Sequence, residues 1–168
     1  MKKNSRFETT EFYNIVGEYI NHPKVLEMKE YTHHGLRRYD HCFHVAYHTY
    51  KITKFLKLNY VSATKAAMLH DFYTNELDDE KNSLKRYCTH PKIALENARR
   101  FFGLTELEED IIKRHMFPIT LIPPKYIESW IVDIIDDIAS IYERCYATAK
   151  DIKSYAKVFI VVILSIIR

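Results

Sequence analysis

The sequence predicts an all-α fold, a compact single-domain bundle of about six to eight helices. Three observations support it. The chain has 168 residues, 47% of them hydrophobic, which suffices to bury roughly two-thirds of the unfolded surface in one core. It contains only 3 Gly and 5 Pro, little material for the tight turns of a β-sandwich. Its apolar residues also recur at three- and four-residue intervals over long stretches, the spacing that lines one face of a helix.

Phe12, Ile15, Val16, Tyr19 and Ile20 mark the first helix, which "NHP" (21–23) interrupts. A short second helix runs from Pro23 to Tyr31. "THHGLRRYD" (32–40) is a polar connector in which Gly35 is free to take an awkward backbone angle. A long helix spans Asp40 to Leu58 with Asp40 as its N-cap. The next runs from Val61 to Phe72 and starts near Ser62. The acid-rich stretch 74–89, with "TNELDDEKNS" at 74–83, reads as a mobile loop. Thr89 caps a helix with Pro91 in its first turn and Gly103 past its end. "TELE" (105–108) has the spacing of a capping box and opens a helix to His115. "FPITLIPP" (117–124) is a proline-bounded loop. Tyr126 to Lys150 is the longest periodic segment, with a main stripe of Ile131, Ile134, Ile135, Ile138, Ile141 and Tyr142. There is no internal repeat and no composition break, so residues 1–168 form one domain.

The formal charge is +3, with basic residues interleaved among acidic ones. A strongly basic stripe is absent, and no nucleic-acid polymer is expected as a partner. Cys42, Cys88 and Cys145 are odd in number and form no CxxC. They predict a reducing, cytoplasmic location without a disulfide framework. "MKKNSRFETT" (1–10) leads into no apolar stretch and does not read as a secretion signal. "VFIVVILSII" (158–167) is ten residues long, about half of the roughly 20 that a membrane span needs. The expectation is therefore no membrane span. The apolar C-terminal segment, 151–168, is instead buried against the body or against a second subunit in a homo-oligomer. A truncated tail anchor is the alternative.

The histidines carry the chemical signal. In "AAMLHDF" (66–72) an apolar helix ends on adjacent ionisable groups, His70 and Asp71, an arrangement that is costly unless they are paired or bound to a metal. On the 40–58 helix, His41 shares a face with Val45, Ile52, Phe55 and Leu56, expected to be the core side, with His44 and His48 at its edge. His41 and His48 lie roughly 10 Å apart along the axis, too far to ligate one ion directly. His41 would need partners from other helices, and the competing reading is a core histidine that merely hydrogen-bonds. His90 and His115 have competing readings as helix-terminal residues, His115 at an end where the helix dipole favours a charged imidazole.

Taken in order, His41, His70-Asp71, His90, His115 and Asp136 fall into a known pattern. "HCFHVA" (41–46), "AAMLHDF" (66–72) and "IIDDIA" (134–139) resemble the HD-domain superfamily of metal-dependent phosphohydrolases, over residues 31–143. The resemblance implies that His41, His70, Asp71 and Asp136 ligate one metal. Such a mixture of imidazole and carboxylate suits Mn, Fe, Co or Zn, with Mg a further candidate. "THPKIAL" (89–95) and "IIKRHMFP" (111–118) are similar to the binuclear branch, in which His90 and His115 would hold a second metal with Asp71 bridging. The family's late aspartate usually precedes a lysine. Asp137 stands there instead, so Asp136 and Asp137 both stay open as the ligand. "HDFYTNE" (70–76) lacks the glycine and lysine that many members carry, and no Gly-Tyr-Pro signature is present, so a cyclic-dinucleotide substrate is not implied. In "HHGLRRYDH" (33–41) the basic groups resemble those that face the substrate phosphate, giving Arg38 and Arg37 as substrate-binding candidates. The implied activity is hydrolysis of a nucleotide or related small phosphorylated compound with one or two divalent ions. Asp71, His115 and His34 are the catalytic candidates, His34 or His115 as proton shuttle. The alternatives are an inactive ligand-binding or assembly module and a di-iron oxygenase.

Overall fold

Alanine faces bring the central helices together. The computed structural model describes residues 2–33, 36–76 and 80–166, with side chains described over 9–31, 37–76 and 80–149. The elements are α1 (Lys2–Ile20), α2 (Pro23–Leu26), a 3-10 turn (Glu27–Glu30), strands β1 (Thr32–His33) and β2 (Leu36–Arg37), α3 (Arg38–Phe55), α4 (Tyr60–Leu69), α5 (Ser83–Phe101), α6 (Glu106–Arg114) and α7 (Ile127–Ile166). The fold is all-α; the two-residue strands form one antiparallel ribbon, Thr32 opposite Arg37, within the expected connector. Ala46 of α3 and Ala63, Ala66 and Ala67 of α4 are fully buried, and such small side chains let the two backbones approach. Phe12 anchors α1 edge-on to α3, its ring centroid 5.4 Å from that of Phe43 and 5.3 Å from that of Tyr47.

Several helix boundaries differ from the sequence reading, each for a local reason. α3 starts at Arg38 with extended Arg37 at the N-cap position. Asp40 is inside the first turn, where its carboxylate accepts from Arg37 Nε at 2.9 Å. α5 is capped at Asn82, whose side chain accepts from Lys85 N at 3.1 Å, so 83–88 is helix rather than loop. Pro91 then lies inside the helix and forgoes one backbone bond to the preceding turn. Thr89, expected as the cap, donates to the Lys85 carbonyl at 2.6 Å. The capping box of α6 is formed: Glu108 N donates to Thr105 Oγ1 at 3.3 Å, and Thr105 N to Glu108 Oε2 at 2.8 Å.

α3 closes in a Schellman turn. Leu58 N donates to the Thr53 carbonyl at 2.9 Å and Lys57 N to the Lys54 carbonyl at 3.1 Å, with Lys57 left-handed at φ 58°. The face of α3 expected to be core is buried only in part. Ile52, Leu56 and especially Phe55, 85% exposed, face outward, while His41, Cys42, Val45, Thr49, Tyr50 and Thr53 face inward.

On α7 the isoleucine stripe is also largely outside. Ile134, Ile138, Ile141 and Tyr142 are exposed, whereas Ser129, Val132, Asp133, Ile135, Asp136 and Glu143 are buried. The helix turns Asp136 and Glu143 inward because partners for them stand there, as described below. The backbone of α7 is helical to Ile166, but the side chains of the 151–168 segment, and with them the expected self-association, lie outside the described residues. Among the described residues no helix is long and apolar enough to cross a membrane.

Candidate metal centre

Two helices end on a histidine. His70 and His115 occupy the C-cap positions of α4 and α6, and each turns its ring back on its own helix. Nδ1–H of His70 donates to the Ala67 carbonyl at 2.8 Å, and Nδ1–H of His115 to the Ile112 carbonyl at 2.8 Å. The same bond satisfies a terminal carbonyl and aims Nε2 away from the helix. His90, within α5, repeats the device on the Arg86 carbonyl at 3.2 Å. His41, near the start of α3, is held differently: its Nδ1 lies 2.9 Å from Glu143 Oε2, and its Nε2 lies 2.8 Å from Asp136 Oδ1, both on α7.

The inward donors converge. Three triplets, His41–His70–Asp71, His70–His115–Asp136 and Asp71–His90–His115, each present ligand atoms within 4.8 Å of one another, and every member is buried. Asp71 belongs to two of them. Its Oδ1 lies 3.2 Å from His90 Nε2 and 3.5 Å from His115 Nε2, while Asp136 Oδ1 lies 3.5 Å from His70 Nε2. Donors bound at about 2.0–2.1 Å stand about 3.0 Å apart at octahedral angles and about 3.3 Å at tetrahedral ones. The spacing here brackets those values.

Two further observations fit a divalent ion. The Nε2 atoms of His90 and His115 are 2.9 Å apart. With both Nδ1 atoms protonated toward carbonyls, both Nε2 atoms offer lone pairs, which repel unless a proton or a cation lies between them. His70 Nε2 is buried, with Asp136 Oδ1 at 3.5 Å and no well-formed hydrogen bond among the described residues, which is costly for an apolar core but natural for a ligand.

The electrostatics show that the buried carboxylates draw positive charge into the cluster. Burial opposes a charged His41, but its hydrogen bonds to Asp136 and Glu143 outweigh that and push its pKa up to about 10. Burial likewise opposes ionised Asp136, yet His70 and His41 hold it well below the usual carboxylate range. His115 is held below the ordinary histidine range by burial, against Asp71 and with His70 and His90 adding to it. It is therefore neutral at pH 7, the form that ligates a metal.

Of the two adjacent aspartates, Asp136 meets the histidines and Asp137 is exposed at the rim of a cavity of about 240 Å3. Asp71, His90 and Asp136 line one side of that cavity, and Tyr87, Ser140 and Arg144 also line it, with Arg144 Nη2 3.5 Å from Tyr87 Oη. Arg37 pairs with Asp40. Arg38, 7% exposed, donates through Nη1 to the Tyr73 carbonyl at 2.6 Å and lies 3.6 Å over the Tyr73 ring. That ring in turn is 5.3 Å from His90. Neither arginine lines the cavity, and His34 lies outside the described residues.

Glu143, Tyr87 and Arg144 escaped the sequence reading. One signal was available: Asp133, Asp136, Ser140, Glu143 and Arg144 recur at helical spacing opposite the isoleucine stripe, so α7 carries a polar face as well as an apolar one.

Fold and cluster together define an all-α domain built around a candidate divalent-metal centre that draws on five helices. The family model for the HD domain matches residues 38–141, more than half of the chain, and the chain belongs to that family. No curated protein and no solved structure matches it.

Proposed function

We propose that the chain is a metal-dependent phosphohydrolase that cleaves a small phosphate ester, a nucleotide or a related compound, with water. The observation that carries this is the convergence of six buried donors beside a cavity that three of them, Asp71, His90 and Asp136, help to line. His41, His70, Asp71 and Asp136 would hold one divalent ion and Asp71, His90 and His115 a second, drawn from Mn, Fe, Co, Zn or Mg. When bound, such ions supply an acidified water and neutralise charge on the phosphate oxygens.

The chain's own groups set the geometry around that chemistry. Asp71, shared between the two half-sites, fixes their spacing. His115 is fixed by its Nδ1–H bond to the Ile112 carbonyl and would commit Nε2 to an ion, so its part is to hold, and proton transfer falls to the other candidate, His34. Arg144 and Tyr87 face the space a substrate would enter, and a guanidinium binds phosphate oxygens bidentately. Arg38 acts from beneath, steadying Tyr73 and through it the ring of His90.

Phosphate release from p-nitrophenyl phosphate with added Mn or Co tests the activity. It should occur in the wild type and fall at least a hundredfold in Asp71→Ala, because the shared ligand is lost. Release that persists unchanged in that variant would overturn the assignment. Oxygen consumption by iron-loaded protein on a polyol or phosphonate would move it to an oxygenase instead.

A further inference from the structure

Three of the four clustered histidines are oriented by carbonyls of their own helices, those of Ala67, Arg86 and Ile112. His41 is the exception, because its Nδ1 meets a carboxylate from another helix 102 residues further along the chain. We propose that Glu143 is a positioning residue of the metal centre, accepting Nδ1–H of His41 so that Nε2 presents its lone pair to the ion. The proposal rests on the metal-binding reading above.

Glu143 is only 4% exposed, and a carboxylate so buried requires a specific partner. Its Oε2 has one at 2.9 Å in His41, whereas its Oε1 is 3.8 Å from His44 Nδ1, beyond hydrogen-bond distance. It follows Asp136 by seven residues, two helical turns, which places both on one face of α7. The single helix thus engages both nitrogens of one imidazole, Asp136 from the ligand side and Glu143 from behind. A carboxylate behind a ligating histidine fixes its tautomer and raises its basicity, and losing such a partner typically weakens metal binding 10–100-fold. His41 alone of the four has a carboxylate there.

The test measures Kd for Zn and Mn by competition with a chromogenic chelator, in wild type, Glu143→Gln and Glu143→Ala, alongside the melting temperature of each metal-free protein. Glu143→Ala should weaken Kd by roughly 10–100-fold. Glu143→Gln, whose amide oxygen still accepts Nδ1–H, should recover part of that loss. A melting temperature that drops while Kd stays within twofold of wild type in a folded variant would mark Glu143 as structural only and overturn the proposal. Nitrogen-15 shifts of zinc-loaded wild type give a second readout that needs no variant: His41 should carry its proton on Nδ1, and a metal-bound Nδ1 would refute the role. Wild type that binds neither ion would overturn the metal-centre reading itself, a result distinct from unaltered binding in the variants.

Discussion

Metal-free protein should lose stability as the pH rises from 6.5 to about 10. In the site without an ion, the bonds to Asp136 and Glu143 prevail over burial and hold His41 protonated up to about 10, against an ordinary value of 6.5. Between those values the folded state binds a proton that the unfolded chain does not. The contribution is therefore complete below 6.5 and is lost as the pH climbs through 10. At 1.36 kcal/mol for each pH unit, the interval corresponds to roughly 5 kcal/mol, a large share of the roughly 5–15 kcal/mol that holds a domain folded. The side chain is fully buried, so solvent does little to screen it. Urea unfolding of chelator-treated protein across this pH range measures the slope, and His41→Gln isolates the part due to this ring. A bound ion takes the lone pair of neutral His41, so metal-loaded protein should lose the slope, and metal affinity should rise over the same interval. Flat stability of the metal-free wild type, or an identical slope in His41→Gln, would refute this account of the site.

Two further changes are informative. Lys57 sits at φ 58° in the Schellman turn that closes α3, a conformation that glycine adopts without penalty. Lys57→Gly should therefore raise stability by up to about 1 kcal/mol, seen as a higher urea midpoint; an unchanged or lower midpoint would mean that the lysine side chain contributes more than the strain costs. Arg144→Ala should raise KM for p-nitrophenyl phosphate roughly tenfold or more, the weight of a hydrogen bond to a charged group. Metal content should be unaffected, and a variant that loses its metal would place Arg144 in the cluster's support rather than in the substrate's path.

Much of the framework was legible in the sequence because it follows local rules. The capping box at Thr105, the break at Asn21–Pro23 and the apolar helix before His70 each depend on a few adjacent residues. What the sequence withheld depends on which face of a helix finds a partner. The isoleucines of α7 form the more conspicuous stripe, yet that helix buries Asp136 and Glu143 because histidines from α3 and α4 stand opposite. Ile52, Phe55 and Leu56 follow the helical period of His41 but lie near the end of α3, where they stay exposed. Asn82 prevailed over Thr89 as the cap of α5 because a proline within the helix costs one bond, while the extra turns gain several. Arg38 carried the right chemistry for phosphate, but no local pattern announces that Tyr73 covers it.

The engagement of His41 at both ring nitrogens couples shape to chemistry. Asp136 and Glu143 belong to one rigid rod that continues from Glu143 to Ile166, about 35 Å at 1.5 Å per residue. The tilt of one imidazole and the separation of α3 from α7 are therefore a single mechanical coordinate. Sliding the rod by a fraction of a turn displaces both carboxylates together and swings the Nε2 lone pair off its aim, whereas the other three histidines, fastened to their own helices, stay put.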